Sequence, residues 1–309
     1  MKRINHLQHL CLALLSLLFF TKCETPTDNN VPAELLRIPI QSKVDQKERD
    51  FFLYLPKDYG VDPNKTFPVL MFLHGNGERG NGKDELDYTM IHGPLYEAWV
   101  QKRDLPFIMI VPQLPMFGVK ADYIQNRTTA QIPKRLAEGT PPRDATWQPD
   151  DPMIGAIQSD TFPNNIITLP VGWDKCDEDL MTMFDHVFEN YNADKSRTYL
   201  SGLSYGGFGT WWIASKHPEM FAAINPVVGW GHPDLMAPIA EHKIPVWAFC
   251  GGRDAVIPCR YFYKGINRLE ELGHKNVRFT THEDMSHDTW RRVYAGEDIY
   301  NWLLSHQKK

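Results

Sequence analysis

The chain has 309 residues, 42% hydrophobic and 23% charged, with a formal net charge of −5. That length holds one large domain or two modest ones, and the composition excludes a disordered or fibrous chain. The acidic balance argues against nucleic acid or an anionic membrane surface as the main partner. Proline departs from the average: there are 23, and nine of them fall between Pro112 and Pro170.

Lys2 and Arg3 precede an apolar run over residues 10–20, too short for a bilayer and patterned like a secretory signal peptide. The reading is a signal peptide over residues 1–22, a flexible tether over 23–33 and a catalytic domain over 34–309. Cys23 directly follows the apolar run, where a bacterial lipoprotein signal places its lipidated cysteine, although Lys22 stands where a small residue is expected. Plain secretion and lipidation at Cys23 both follow from this pattern, so the protein is expected to be exported: periplasmic, extracellular or lipid-anchored. Any membrane contact would run through that anchor. Beyond the tether stand Cys176, Cys250 and Cys259, an odd number that permits at most one bridge and leaves the pairing open. Their spacing to histidines matches no zinc pattern, so no metal site is expected.

Residues 35–40 and 51–55 read as an antiparallel hairpin around Asp45. Apolar runs at 68–73, 107–111, 198–200, 222–228, 244–249 and 277–281 are apolar on both faces, which suits parallel strands covered by helices. Helical periodicity lies between them at 177–191, 207–217, 260–272 and 296–306, the first carrying Leu180, Phe184, Val187, Phe188 and Tyr191 on one stripe. The alternation predicts an α/β fold with one mostly parallel, doubly wound sheet whose functional residues lie at the C-terminal strand ends. One stretch breaks the rhythm. Residues 114–172 show no clear period; they contain Phe117, Tyr123, Trp147 and Phe162, and form an irregular, proline-rich insertion expected to pack.

Gly202-Leu-Ser-Tyr-Gly206 sits between a strand and a helix, the context that makes Gly-x-Ser-x-Gly a nucleophile elbow. Ser204 is the candidate nucleophile and needs a base. His287, on the loop after the last strand, suits that role better than His282 at the strand's end. Asp254 follows the strand at 244–249 and would orient the imidazole, giving the chain order nucleophile, acid, base; Asp284 and Asp288 read as solvated loop carboxylates. The backbone N–H of Tyr205 supplies one oxyanion donor. The glycine-rich loop from His74 to Gly80 supplies the second, through Asn76 or its neighbour Gly77. Trp147 and Trp230 offer candidate flat surfaces for a sugar ring.

The segments 73–80, 202–211, 252–254 and 287–290 together resemble the polyhydroxybutyrate depolymerase/feruloyl esterase-like branch of the α/β-hydrolases. That branch also includes sequences described as predicted peptidases or as phospholipase/carboxylesterase-like. The resemblance runs from about Arg37 to the C-terminus and carries the same triad over to Ser204, Asp254 and His287. It implies hydrolysis of esters, among them acetyl and feruloyl esters on plant polysaccharides, with no metal or organic cofactor. Relatives of this kind pass almost directly from Pro112-Gln113 to Trp173, so the insertion is this chain's own departure, a candidate lid or substrate wall. The expected activity is a serine esterase acting on a small-molecule or polysaccharide ester. Two alternatives differ in class: a prolyl-peptidase-like serine peptidase, and a non-catalytic glycan-binding surface lipoprotein.

Overall fold

A computed structural model of the chain describes residues 30–143 and 172–308. The expected signal segment, Cys23, Trp147 and residues 144–171 of the insertion lie outside the described residues. The hairpin forms as read: β1 (Glu34–Gln41) pairs antiparallel with β2 (Glu48–Leu55). Asp45 at its turn accepts two hydrogen bonds from Arg49, each 2.6 Å. β1 is an edge strand, and Pro39 is tolerated there because its missing N–H interrupts no inner ladder.

The remaining strands are β3 (Phe67–Leu73), β4 (Ile108–Val111), β5 (Ala193–Leu203), β6 (Ala223–Val227), β7 (Val246–Gly251) and β8 (Val277–His282). They form one eight-stranded sheet in the order β1-β2-β4-β3-β5-β6-β7-β8. β2 meets β4 antiparallel, and every pairing from β4 to β8 is parallel. Every residue of β3, β4, β6 and β7 is buried, as expected for strands covered on both faces. The alternation within β3 shows how: Val69 and Met71 enter one core layer, Leu70 and Phe72 the other.

The helices are α1 (Asp122–Gln125), α2 (Asp177–Asn190), α3 (Tyr205–Lys216), α4 (Met236–Glu241), α5 (Tyr263–Glu271), α6 (Trp290–Ala295) and α7 (Asp298–Leu304). α2 through α5 pack on the Val69 face, and α6 and α7 on the Phe72 face. In α2 the stripe Leu180, Met183, Phe184 and Val187 is buried, while Asp177, Glu178 and Asp179 complement the N-terminal dipole. Truncating Phe184 to alanine would cost about 3–5 kcal/mol, the usual range for a fully buried phenylalanine.

Two departures matter for the site. β5 begins at Ala193, ahead of the apolar run, because Asp194 bonds the Ser196 N–H (2.9 Å) and Arg197 (2.7 Å) beside a register shift at Pro68/Val69. Between β3 and β4 there is no long helix but a 3₁₀ turn over Leu86–Met90 and a π-helical turn over Tyr96–Val100. Among the described residues, no helix is long and apolar enough to cross a membrane.

Candidate active site

At the C-terminal edge of the sheet, β5 ends in Leu203 and turns directly into α3. Ser204 occupies the turn at φ 51°, ψ −112°, a conformation that costs a non-glycine residue about 1–3 kcal/mol and persists only when its surroundings enforce it. The Ser204 N–H donates to the Val227 carbonyl (2.8 Å), and the Phe208 N–H donates to the Ser204 carbonyl (3.2 Å). The flanking glycines are steric requirements. A Cβ on Gly206 would stand 1.8 Å from the Leu73 carbonyl oxygen, and one on Gly202 would stand 2.3 Å from the Gly206 carbonyl oxygen.

Three loops converge on this turn. Ser204 Oγ lies 2.9 Å from His287 Nε2, and His287 Nδ1 lies 2.8 Å from Asp254 Oδ2. Asp254 is 1% exposed. Its other oxygen accepts from the N–H groups of Val256 (2.9 Å) and Ile257 (2.7 Å), so the carboxylate is fixed in orientation before it meets the imidazole. The loop carrying Asp254 is closed by a disulfide between Cys250 and Cys259, the pairing that the sequence left open. Cys176 is buried and unpaired among the described residues. An imidazole between a serine hydroxyl and a buried carboxylate can accept the hydroxyl proton and be stabilised once charged.

The competing residues are occupied elsewhere. His282 stacks on Phe249 at 6.2 Å, and burial lowers its pKa. Asp284 holds Arg292 through two bonds of 2.7 and 2.6 Å, and Asp288 pairs with Arg291 at 3.5 Å.

The loop from His74 to Gly80 abuts the nucleophile: a Cβ on Gly75 would lie 3.6 Å from Ser204 Cβ and 2.8 Å from Leu203 Cδ1. His74 anchors it as a neutral pillar. Its Nδ1–H donates to the Gly75 carbonyl (2.6 Å), its Nε2 accepts from the Leu114 N–H (2.9 Å), and burial pushes its pKa down to about 3. Asn76 opens a 3₁₀ turn over Asn76–Glu78 and Tyr205 opens α3. The first N–H groups of a helix have no intrahelical acceptor, which leaves them available to an anion.

The described part of the insertion is built onto that loop. The Asn76 amide donates to the Tyr123 hydroxyl and accepts from Arg79 Nε at 2.5 Å. Arg127 donates to the carbonyls of Gly77 and Arg79 and to Glu85. Evenly spaced arginines stack on aromatics of the β3–β4 connection: Arg127 over Tyr88 (3.8 Å), Arg135 over Trp99 (4.1 Å) and Arg143 over Tyr96 (6.0 Å). Near His287 lies a cavity of about 230 Å³, with Tyr96, Trp290 and Tyr294 in its wall and the Glu97–Arg143 pair along one side. Trp290 links it to the Ser204–His287–Asp254 cluster, meeting His287 edge-on at 5.1 Å.

One expectation about aromatics is corrected. Trp230 offers no flat face: it is 6% exposed and packed edge-on against Phe208 at 4.9 Å, with Ile257 and Phe262 around it. Its apolar ring is worth more in the core than on a rim. The described part of the insertion does pack, with Ile124 buried and Phe117 against the core, while Tyr123 is 61% exposed beside Asn76. Trp147 lies outside the described residues. Arg127, Trp290 and the disulfide went unread as site elements. The even arginine spacing within a proline-rich stretch was the available signal for Arg127. Among the described residues, no group of three or more His, Cys, Asp and Glu side chains is arranged to hold a metal ion.

This architecture is the α/β-hydrolase fold. A thermostable esterase shares it with a TM-score of 0.59 at 24% identity, over 89% of this chain and 63% of its own. A ferulic acid esterase shares it with a TM-score of 0.54 at 14% identity, over 89% of this chain and 97% of its own. Residues 151–248 match the prolyl oligopeptidase family. A poly(3-hydroxyalkanoate) depolymerase C from Paucimonas lemoignei is 40% identical over 47 residues, which is 15% of this chain and 11% of that enzyme. The chain thus spans less than two thirds of the esterase, and its match to the depolymerase is a short stretch. The chain therefore has the α/β-hydrolase fold, and esterases, a depolymerase and the prolyl oligopeptidase family are among the proteins it is similar to.

Proposed function

We propose that the protein is an exported carboxylic ester hydrolase working through an acyl-enzyme on Ser204, with acetyl or feruloyl esters of carbohydrate as its substrates. His287 takes the Ser204 proton as Oγ attacks the ester carbonyl, and Asp254 stabilises the imidazolium that results. The N–H groups of Tyr205 and Asn76, with Gly77 beside it, hold the oxyanion; each such donor is worth about 3 kcal/mol. His287 then returns the proton to the leaving alcohol and activates the water that cleaves the acyl-enzyme. The observation that carries this reading is the Ser204–His287–Asp254 line, with contacts of 2.9 and 2.8 Å.

An ester substrate is supported by the names of the depolymerase and the ferulic acid esterase that the chain resembles. The cavity beside Trp290 has aromatic walls suited to a planar ring, and Gln131, Pro133 and Pro142 of the insertion contribute to it. On this reading the insertion is a substrate wall. Export is supported by the Cys250–Cys259 disulfide, since such bonds persist in oxidising compartments. The match to the prolyl oligopeptidase family favours a second reading, a serine peptidase with the same triad.

A panel of aryl acetates, methyl ferulate, acetylated xylan and proline-containing peptide amides separates the two, with Ser204→Ala as control. Cleavage of the esters alone, abolished in the variant, supports the esterase. Preferential cleavage of the amides supports the peptidase. Undiminished activity in Ser204→Ala, or no adduct at Ser204 with a fluorophosphonate, overturns both.

A further inference from the structure

Glu78 is the one member of the Asn76–Glu78 turn whose side chain points inward. It is 7% exposed, and its Oε2 is buried without a hydrogen-bond partner. A Cβ on Gly75 would stand 3.2 Å from that oxygen and 3.6 Å from Ser204 Cβ, so the carboxyl and the Ser204 side chain border the same small gap left by the missing Gly75 side chain. The groups around it supply little positive charge. From the end of β3, His74 Nδ1 lies 3.8 Å away, its proton already given to the Gly75 carbonyl. From the β3–β4 connection, His92 Nε2 lies 4.0 Å away. Both imidazoles are driven neutral by burial, with pKa values of about 3. From the insertion, the Arg127 guanidinium acts at a distance, its own bonds going to Gly77, Arg79 and Glu85. The N–H groups of Gly75 and of Glu78 itself also favour the ionised form, but burial outweighs them and lifts the Glu78 pKa to about 7.

We infer that Glu78 is a positioning residue of the hydrolytic step, working as the uncharged acid beneath the oxyanion loop and switching the site off when it ionises. This rests on the reading of that loop as the oxyanion donor. A carboxylate there is a like charge beside the developing oxyanion, in surroundings too poorly solvated to screen it. The uncharged acid imposes no such opposition. The effect has a definite sign: the productive form is present below the Glu78 pKa and is lost as pH rises through it.

Glu78→Gln keeps the shape of the uncharged acid and cannot ionise. Measured with an aryl acetate, the ratio of kcat/KM for Glu78→Gln to that of the wild type should rise about fivefold or more between about pH 6 and pH 8.5. Taking this ratio removes pH effects common to the two proteins. The rate of fluorophosphonate labelling at Ser204 should follow the same ratio. A constant ratio overturns the inference and leaves the esterase reading intact, whereas loss of labelling in the wild type strikes that reading instead. Infrared titration of the wild-type protein adds a test that needs no variant: a buried protonated-carboxyl band should disappear as pH passes through neutrality. Its absence at pH 6 overturns the inference as well.

Discussion

Arg127 Nη1 donates to the carbonyl oxygen of Gly77 at 2.9 Å, so a residue of the insertion fixes the backbone of the loop facing the nucleophile. The same guanidinium bonds the Arg79 carbonyl and Glu85, and lies over Tyr88. Arg127→Ala removes three charge-assisted hydrogen bonds, each worth about 1.5–3 kcal/mol before water replaces part of them. The expected result is a kcat lowered about 10- to 100-fold with KM little changed, because misaligned N–H donors weaken transition-state stabilisation more than substrate binding. Arg127→Lys should recover only part, since one ammonium cannot reproduce the fork. Steady-state kinetics on an aryl acetate with a parallel melting curve checks this. A lowered Tm with unchanged kcat would make Arg127 a structural brace alone.

The two oxygens of Asp254 have different partners, which makes Asp254→Asn a sharp test. Oδ1 accepts from the Val256 and Ile257 N–H groups, and Oδ2 faces His287 Nδ1. In the asparagine variant the amide oxygen must stay with the two backbone donors, which turns the NH₂ toward the imidazole. The imidazole is then held in the tautomer with Nε2 protonated, unable to accept the Ser204 proton. A fall in kcat of about 10³- to 10⁴-fold is expected, with folding stability nearly unchanged. Retention of more than a tenth of wild-type kcat would show that Asp254 is not the orienting acid.

The meeting of Ser204, Asp254 and His287 could be read in the sequence because each follows a run that marks a strand, buried in β7 and at the end of β5 but only half-buried in the edge strand β8. Ser204 follows β5, Asp254 follows β7 and His287 follows β8, and chain order did the rest. What escaped notice depends on contacts between segments distant in sequence. Glu78 looks like an ordinary loop carboxylate until His74 and His92 close over it. Trp230 reads as a surface platform until Phe208 and Phe262 cover it. The short turns Leu86–Met90 and Tyr96–Val100 lack a 3.6-residue stripe, since the π-turn breaks the period, and α4 contains Pro238. The hairpin and the parallel strands were legible because their patterns are local; the insertion's arginine contacts were not.

The disulfide joins the end of β7 to the segment just before α5 and encloses Asp254. Closing a loop of this size removes about 2.5–3 kcal/mol of chain entropy from the unfolded state. Cys259→Ser should therefore lower stability by about 2–3 kcal/mol. It should also lower kcat more than KM, because the freed loop no longer presents Asp254 in one orientation. Mild reduction of the wild type should reproduce both effects, and reoxidation should reverse them. If reduction lowered Tm but spared kcat, the acid loop would be held by its backbone hydrogen bonds alone.

Three shifted groups contribute strongly to the dependence of stability on pH. His74 and His92 have folded-state pKa values lowered by burial from 6.5 to about 3, so both are neutral in the folded protein. Below pH 6.5 the unfolded chain binds protons that the folded chain refuses. Their stabilisation is fully present above that pH and is lost as pH falls toward 3. His74, 1% exposed, contributes about 5 kcal/mol by this route; His92, with 22% of its side chain exposed, contributes less. Glu78 acts in reverse, because its folded-state pKa is raised from 4.5 to about 7 and it destabilises the fold progressively over that interval. His274 and His282, whose pKa values burial also lowers, add to the loss below pH 6.5, whereas Glu78 offsets part of the gain up to about pH 7. His74→Gln retains one donor for the Gly75 carbonyl and one acceptor for the Leu114 N–H but cannot titrate. Denaturant unfolding of both proteins from about pH 4 to pH 8 should give a variant slightly less stable at neutrality and distinctly less sensitive to acid. Equal acid slopes in the two proteins would show that His74 is not held neutral.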